Sequence, residues 1–212
     1  MSTLLLLRHA PVAGGTGRCL GCRTDLPADP AGLVAAGALR ELTAAWGVQT
    51  VYSSPMLRCM QTASAISGGR RVAPVPDLRE QDCGAWDGLD FAAIRARWPE
   101  HYARRGEDLS LPPPGGEAPA QLARRGLDAL AGLMQRSEGP VLTVAHAGLN
   151  RAVLCALLGL PFASMYTLPQ PYLCANVLRW DGESFAVAAV GCPTEDWRSV
   201  PLLSPEKEEL TP

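Results

Sequence analysis

Lysine is almost missing from this sequence of 212 residues: of 19 basic residues, only Lys207 is a lysine. Arginine, a planar fork suited to oxyanions, carries the rest of the positive charge. Neither sign of charge dominates, since 19 Lys and Arg face 21 Asp and Glu for a net charge of −2. That balance excludes a strongly basic nucleic-acid binder and leaves room only for a local basic pocket. No apolar run is long enough for a membrane span: the longest region, Val141 to Ala163, is broken by His146, Asn150 and Arg151. Four leucines before Arg8 and His9 are too few for the apolar core of a leader peptide. Histidine is also scarce, with only three.

What is present is ordinary globular material, 47% hydrophobic and 19% charged, which argues against disorder. The length fits one domain, expected over residues 1–200, followed by a mobile tail at 201–212 ending in Glu-Lys-Glu-Glu and three further residues. Seven cysteines, an odd number in a chain too large to need disulfide staples, point to a reducing, cytoplasmic setting. Cys19 and Cys22 form a C-x-x-C that could be redox-active or half a zinc site, but no second pair follows at zinc spacing.

Thr3–Leu7 is a short apolar run of the buried parallel-strand kind, ending in Arg8-His9. A glycine-rich loop follows, then helical spacing from Ala31 to Trp46. Val48–Ser53 reads as a strand, Ser54-Pro55 as a helix start with proline in the first position, and Val72–Val75 as a third strand. Phe91–Trp98 and Glu117–Gln135 read as helices around a Leu111–Gly116 loop. Val141–Ala145 repeats the opening theme, an apolar strand ending in a histidine, His146, with a helix to Leu158. Tyr172–Trp180 and Ser184–Val190 flank Asp181-Gly182 as a hairpin. Alternating strands and helices predict an α/β sandwich with a mostly parallel sheet, in which ligands bind beyond the carboxyl ends of strands. Both histidines fall there.

A phosphate monoester needs forked positive donors, an in-line nucleophile, and an acid for the leaving oxygen. Arg8, His9, His146, Arg58 and Glu80 could supply these. The plainer reading stands beside this: strand-end histidines are commonly half-exposed, Arg58 could snorkel to solvent, and Glu80 could pair with Arg79 at the surface. His101 and the remaining cysteines read as structural.

These residues sit in longer stretches that carry a resemblance. Leu5–Ala10, Ser53–Ala63, Leu78–Gly88, Pro114–Glu117 and Val144–Ala152 follow one another in the way the motifs of the histidine phosphatase (phosphoglycerate-mutase-like) superfamily do. The resemblance implies a three-layer α/β sandwich with helices on both sides of the sheet. It implies His9 as nucleophile through a phosphohistidine, Arg8, Arg58 and His146 as phosphate ligands, Glu80 as acid and then base to water, and no metal or other cofactor. Where the family usually has glycine, an acidic residue and Ser or Thr, this chain has Ala10, Pro11 and Val12. The methyl of Ala10 is tolerated if its φ is negative.

Within the superfamily the chain resembles most the α-ribazole phosphatase type of cobalamin assembly, through Pro113–Glu117, His146–Ala152, Leu157–Pro161 and the Gly17-Arg18, Gly21, Asp25–Pro27 loop. Arg18 and Gly21 are the substrate contacts this implies. The expected function is a metal-independent phosphomonoesterase acting on a small ester such as α-ribazole 5′-phosphate. Alternatives are a phosphatase or mutase for another sugar or glycolytic phosphate, and a non-catalytic phosphate binder. The expected partner is the small phosphorylated substrate, with no nucleic acid or membrane and with room for a homodimer.

Overall fold

The computed structural model describes residues 1–199, so the tail expected at 201–212 lies outside the described residues. The first apolar run forms strand β1 (Ser2–Arg8), buried at every interior position. Helical spacing over 31–46 predicts one helix, but the chain makes two, α1 (Pro30–Gly37) and α2 (Arg40–Ala45). The break has a local cause. The Leu39 N–H reaches back only three residues, to the Ala36 carbonyl at 3.1 Å, while Arg40 Nε takes the Gly37 carbonyl at 2.9 Å.

Strand β2 (Thr50–Ser53) leads to α3 (Leu57–Ser67) and β3 (Arg71–Pro74). Pro55 is not the first helical residue as the sequence predicts. It precedes an extended Met56, whose N–H bonds Ser54 Oγ at 3.3 Å, and the helix starts at Leu57. Phe91–Arg97 forms α4, and Pro99 then opens α5 (Pro99–Glu107), a helix absent from the sequence reading. The remaining elements match expectation: α6 (Pro119–Gln135), β4 (Val141–Ala145), α7 (Ala147–Leu158), β5 (Ala175–Trp180) and β6 (Phe185–Cys192). No helix among the described residues is long and apolar enough to cross a membrane.

The six strands form one mostly parallel sheet in the order β3-β2-β4-β1-β5-β6, with β5 antiparallel to both β1 and β6. After β1 the chain builds outward to β3, returns to insert β4 beside β1, and then crosses to the other side of β1. The carboxyl ends of β1 and β4 therefore meet mid-sheet, where the strand order reverses and ligands tend to bind. Register fixes their ends side by side, with Arg8 opposite Ala145 and Ser53 opposite Val144.

Alternation along β1 divides the core. Leu5 and Leu7 pack with Ala63, Ile66 and Val144 on the face covered by α1, α2 and α3. Leu4 and Leu6 pack with Leu122, Leu130, Leu149 and Val153 on the face covered by α6 and α7. Each buried leucine contributes about 2 kcal/mol, so the strand ending in Arg8-His9 is anchored from both sides. A third, smaller cluster of Cys83, Trp86 and Ile94, with Cys19, Leu89, Trp98 and Tyr102 against it, lies apart from both.

Candidate active site

His9 and His146 continue adjacent strands, so their rings lie together, 5.2 Å apart edge to face. Neither is the half-exposed strand-end residue of the plainer reading: His9 is 5% exposed and His146 is 0%. The His9 N–H bonds the Ala145 carbonyl at 3.0 Å, and its ring Nδ1 lies 2.7 Å from the Ala10 carbonyl. A carbonyl can only accept, so Nδ1 carries the proton and Nε2 keeps the lone pair. Burial above all, then the nearby Arg58 charge, pushes the His9 pKa down to about 3, against the opposing pull of the Ala10 bond. At neutral pH the ring is an uncharged base, the form a nucleophile requires.

The loop after His9 is held by Thr62, whose Oγ1 accepts the Ala10 N–H at 3.0 Å and donates to the Arg58 carbonyl at 2.7 Å. Ala10 does not take a positive φ, so its methyl is not strained. The space for it comes from α1, where a Cβ on Gly32 would lie 3.2 Å from the Ala10 methyl and 2.7 Å from Pro11 Cδ.

Arg8 and Arg58 approach from different elements. Arg8, at the end of β1, stacks its guanidinium 3.7 Å from the centre of the Tyr172 ring and donates to the Gln170 carbonyl. Gln170 is clamped in turn by Asn150 and Asn176, and Asn176 also bonds the Leu6 carbonyl of β1 at 2.9 Å. Arg58, in the first turn of α3, is 1% exposed, so it does not snorkel. Its Nη1 donates to the Thr24 carbonyl at 3.0 Å and Nη2 to the Gly21 carbonyl at 3.3 Å. The Nε atoms of both arginines are buried without a hydrogen-bond partner. An unsatisfied buried donor costs about 1–3 kcal/mol, so two of them mark donor capacity that the folded chain leaves unused.

Glu80 makes no ion pair with Arg79, which bridges to Asp77 instead. Its carboxylate accepts the N–H groups of Gln81 at 2.8 Å, Gly148 at 3.0 Å and Leu149 at 3.0 Å, across the first turn of α7. Helix N-termini favour such a group. Glycine is required at 148, because a Cβ there would lie 2.5 Å from Glu80 Oε1. The segment bearing Glu80 is fastened from behind by Arg125, which bonds the carbonyls of Asp77, Arg79 and Glu80 and pairs with Glu117 at 2.7 and 2.8 Å.

A cavity of about 260 Å³ opens over these groups. Arg8, His9, Arg58 and Glu80 line it, together with Arg18, Arg105 and Arg151 and the rings of Trp86, Phe91, Tyr166 and Tyr172. Five arginines thus face one carboxylate. Arg18 is exposed and lines the cavity. Gly21 is not among the lining residues. It stands behind the wall, its carbonyl accepting from Arg58 and its N–H bonding Asp87 at 3.3 Å, and so positions Arg58. His146 does not line the cavity either. It sits beneath it, its Nε2 2.8 Å from Ser54 Oγ and its ring against Cys59. Burial first, then Arg58, lowers its pKa well below the usual histidine range, so the positive field of the cavity comes from the arginines that line it.

Three groups escaped the sequence reading. Arg105 on α5 is buried, held by the Leu109 and Leu111 carbonyls. The Glu117–Arg125 clamp and the Gln170–Asn176 pair were also missed. Asn176 left a signal, a lone amide inside a strand otherwise made of apolar residues and one arginine, where burial demands partners. Cys19 and Cys22 part company in the fold. Cys22 lies near Asp82 and Asp87, two carboxylates already engaged by Arg23 and backbone N–H groups. Cys19 packs on the cluster that contains Cys83.

Comparison with known proteins agrees with this geometry. The family model of the histidine phosphatase superfamily (branch 1) matches residues 4–193. A glucosyl-3-phosphoglycerate phosphatase of Mycolicibacterium vanbaalenii is 30% identical over 168 residues, covering 74% of this chain and 75% of that one. A metal-independent phosphoserine phosphatase of Arabidopsis thaliana is 36% identical over 110 residues, 49% of this chain and 46% of that one. Among solved structures, YhfR of Bacillus stearothermophilus superposes with a TM-score of 0.83 at 26% identity, covering 92% of this chain and 98% of that one. These relatives do not support the narrower resemblance to the α-ribazole type. They agree with the site on a broader conclusion: the chain belongs to the histidine phosphatase superfamily, and it is a phosphoric monoester hydrolase.

Proposed function

We propose that this protein is a metal-independent phosphomonoesterase that works through a phosphohistidine at His9, on a small ester whose alcohol carries an anionic group of its own. The observation that carries the reading is the charge distribution of the cavity. Arg8 and Arg58 flank His9, with Asp25 3.9 Å from Arg58, while Arg18, Arg105 and Arg151 line the same space, in which Glu80 is the one carboxylate among the lining residues. The phosphate group needs the first two, which leaves the others for a second anion. The names of the phosphoglycerate- and phosphoserine-directed relatives fit such an ester.

In the first step His9 Nε2 forms a bond to phosphorus as the ester P–O bond breaks, and the Glu80 carboxylate, having taken a proton from the bound phosphate monoanion, passes it to the leaving oxygen. In the second, water attacks the phosphoryl group, the P–N bond breaks, and Glu80 takes the proton of the water. The phosphate leaves with that proton, and His9 and Glu80 return to their starting forms. The guanidinium groups of Arg8 and Arg58, which line the cavity with His9, stabilise the charge that gathers on the transferring oxygens. His146, neutral and buried beside His9, contributes ring hydrogen bonding and position rather than charge.

One observation favours a second reading. Trp86, Phe91 and Tyr166 line the cavity and would suit an aromatic base such as that of α-ribazole 5′-phosphate. The two readings separate in one comparison of kcat/KM, with a chelator present throughout, for 3-phosphoglycerate, phosphoserine, α-ribazole 5′-phosphate and p-nitrophenyl phosphate. Preference for a carboxylate-bearing ester is the expected result. Preference for α-ribazole 5′-phosphate overturns the anionic-alcohol reading, and loss of all activity with the chelator overturns metal independence.

A further inference from the structure

We infer that Cys19 and Cys83 form an oxidation site in the cavity wall: a hydroperoxide oxidises Cys19, Cys83 condenses with it, and the disulfide lowers access to the leaving-group side. Both residues line the cavity. They come from separate loops and meet in the small cluster of Trp86 and Ile94 that stands outside the main core. Each is fixed through its backbone, Cys19 by paired bonds with Leu89 and Gly88 at 2.8 Å and Cys83 through its carbonyl to the Trp86 N–H at 3.0 Å.

The two thiols differ in access, Cys19 half-buried and Cys83 buried, so the oxidant meets Cys19 first. The neighbouring Cys83 thiol above all, with help from Arg105, holds the Cys19 pKa below its ordinary value, against burial and the charges of Asp87 and Glu80. Cys83 moves the other way, pushed up by Cys19 and by burial. Cys19 is half-buried and open to the cavity. Burial raises the thiols of Cys22, Cys59, Cys155, Cys174 and Cys192, so Cys19 alone combines access with thiolate character.

The chemistry balances with a hydroperoxide as oxidant. The Cys19 thiolate attacks the peroxide, the O–O bond breaks, and an S–OH forms while an alkoxide or hydroxide leaves and picks up a proton. The Cys83 sulfur then attacks Cys19, an S–S bond forms, and the S–OH oxygen departs as water with the Cys83 proton. Two thiols lose two electrons and the peroxide gains them. Cys83 lies three residues after Glu80 and lines the same cavity, so a bond that pulls on Cys83 strains the segment that carries the acid. A misplacement on the scale of 1 Å at such a site costs a hundredfold at the upper end, and about tenfold is expected here.

The inference depends on the cavity geometry and not on which ester the enzyme prefers. The test treats the fully reduced full-length protein with a few equivalents of hydrogen peroxide. Free thiols are then counted, linked peptides mapped by mass spectrometry, and kcat/KM measured with p-nitrophenyl phosphate before and after dithiothreitol. Expected are the loss of two thiols, a Cys19–Cys83 linkage, a fall in kcat/KM of about tenfold, and recovery on reduction. In Cys83→Ser, a sulfenic acid on Cys19 should be trapped by dimedone. A Cys19–Cys22 linkage, an unmodified pair after peroxide, or a Cys19–Cys83 bond that leaves kcat/KM unchanged would each overturn it. Linkage is read without reference to turnover, so an inactive preparation cannot pass for a failed oxidation.

Discussion

The two ends of the cavity are built differently. At the phosphate end, Arg8 and His9 end β1, His146 follows β4, Arg58 sits in the first turn of α3, and Glu80 is bound to the first turn of α7. Apart from the half-buried Arg8 these groups are nearly inaccessible, and their positions are set by strand register and by backbone hydrogen bonds. At the leaving-group end, Arg18, Cys19, Trp86, Phe91 and Arg105 come from loops and the short helices α4 and α5, around a cluster separate from the main core. Precision belongs to elements packed on both faces, and adaptability to segments packed on one. The first end fits the transfer chemistry; the second fits the choice of alcohol.

The largest expected effect strikes the phosphate end. His9→Ala should reduce kcat/KM by about 10⁴-fold or more, while inorganic phosphate still binds through Arg8 and Arg58 when followed by calorimetry. Substantial turnover in that variant would remove His9 as nucleophile. Glu80→Gln should lower kcat by about 10²–10⁴-fold for an alkyl phosphate, and much less for p-nitrophenyl phosphate, whose phenolate needs little proton help. Equal losses on both substrates would take Glu80 out of the acid role.

Arg105→Ala tests the other end. Its expected effect is about a tenfold rise in KM for a carboxylate-bearing ester, from one lost charge-assisted contact, with p-nitrophenyl phosphate little changed. A uniform loss on both esters would mean that Arg105 supports the fold through its bonds to Leu109 and Leu111 rather than reading the alcohol.

The last effect is on stability and leaves turnover at neutral pH aside. His9 and His146 are both lowered in the folded protein, His9 to about 3, whereas in the unfolded chain each takes a proton near pH 6.5. The stability they leave intact at neutral pH is therefore lost as pH falls below about 6.5, by up to about 1.4 kcal/mol per pH unit for each histidine. His9→Gln should flatten the fall of Tm between pH 6 and 4 by one proton's share, and an unchanged slope would contradict the neutral buried ring.

The same contrast decides what could be read from the sequence. Apolar runs ending in Arg8-His9 and His146 announced both central strands and the crevice between them, because a buried parallel strand leaves a plain composition signal. Arg58 and Glu80 were legible through the stretches around them, though not their partners. Arg105 was hidden because α5 begins at Pro99, directly after α4, in a segment with little apolar periodicity. Gly21 was legible as important but not as a support for Arg58, since backbone carbonyls carry no sequence signal. The single helix expected over 31–46 failed at Ala38 and Leu39, where a shortened hydrogen bond turns the chain without any proline or positive-φ residue to mark it.

The central claim is that phosphoryl transfer passes through His9. The most direct measurement mixes enzyme and ester in the presence of a chelator, quenches in alkali within the first turnover, and maps the phosphorylated peptide by mass spectrometry. The account predicts a base-stable, acid-labile phosphoryl group on His9, absent from His9→Ala. Turnover at the full rate with no phosphoryl group on His9 at any quench time would contradict it.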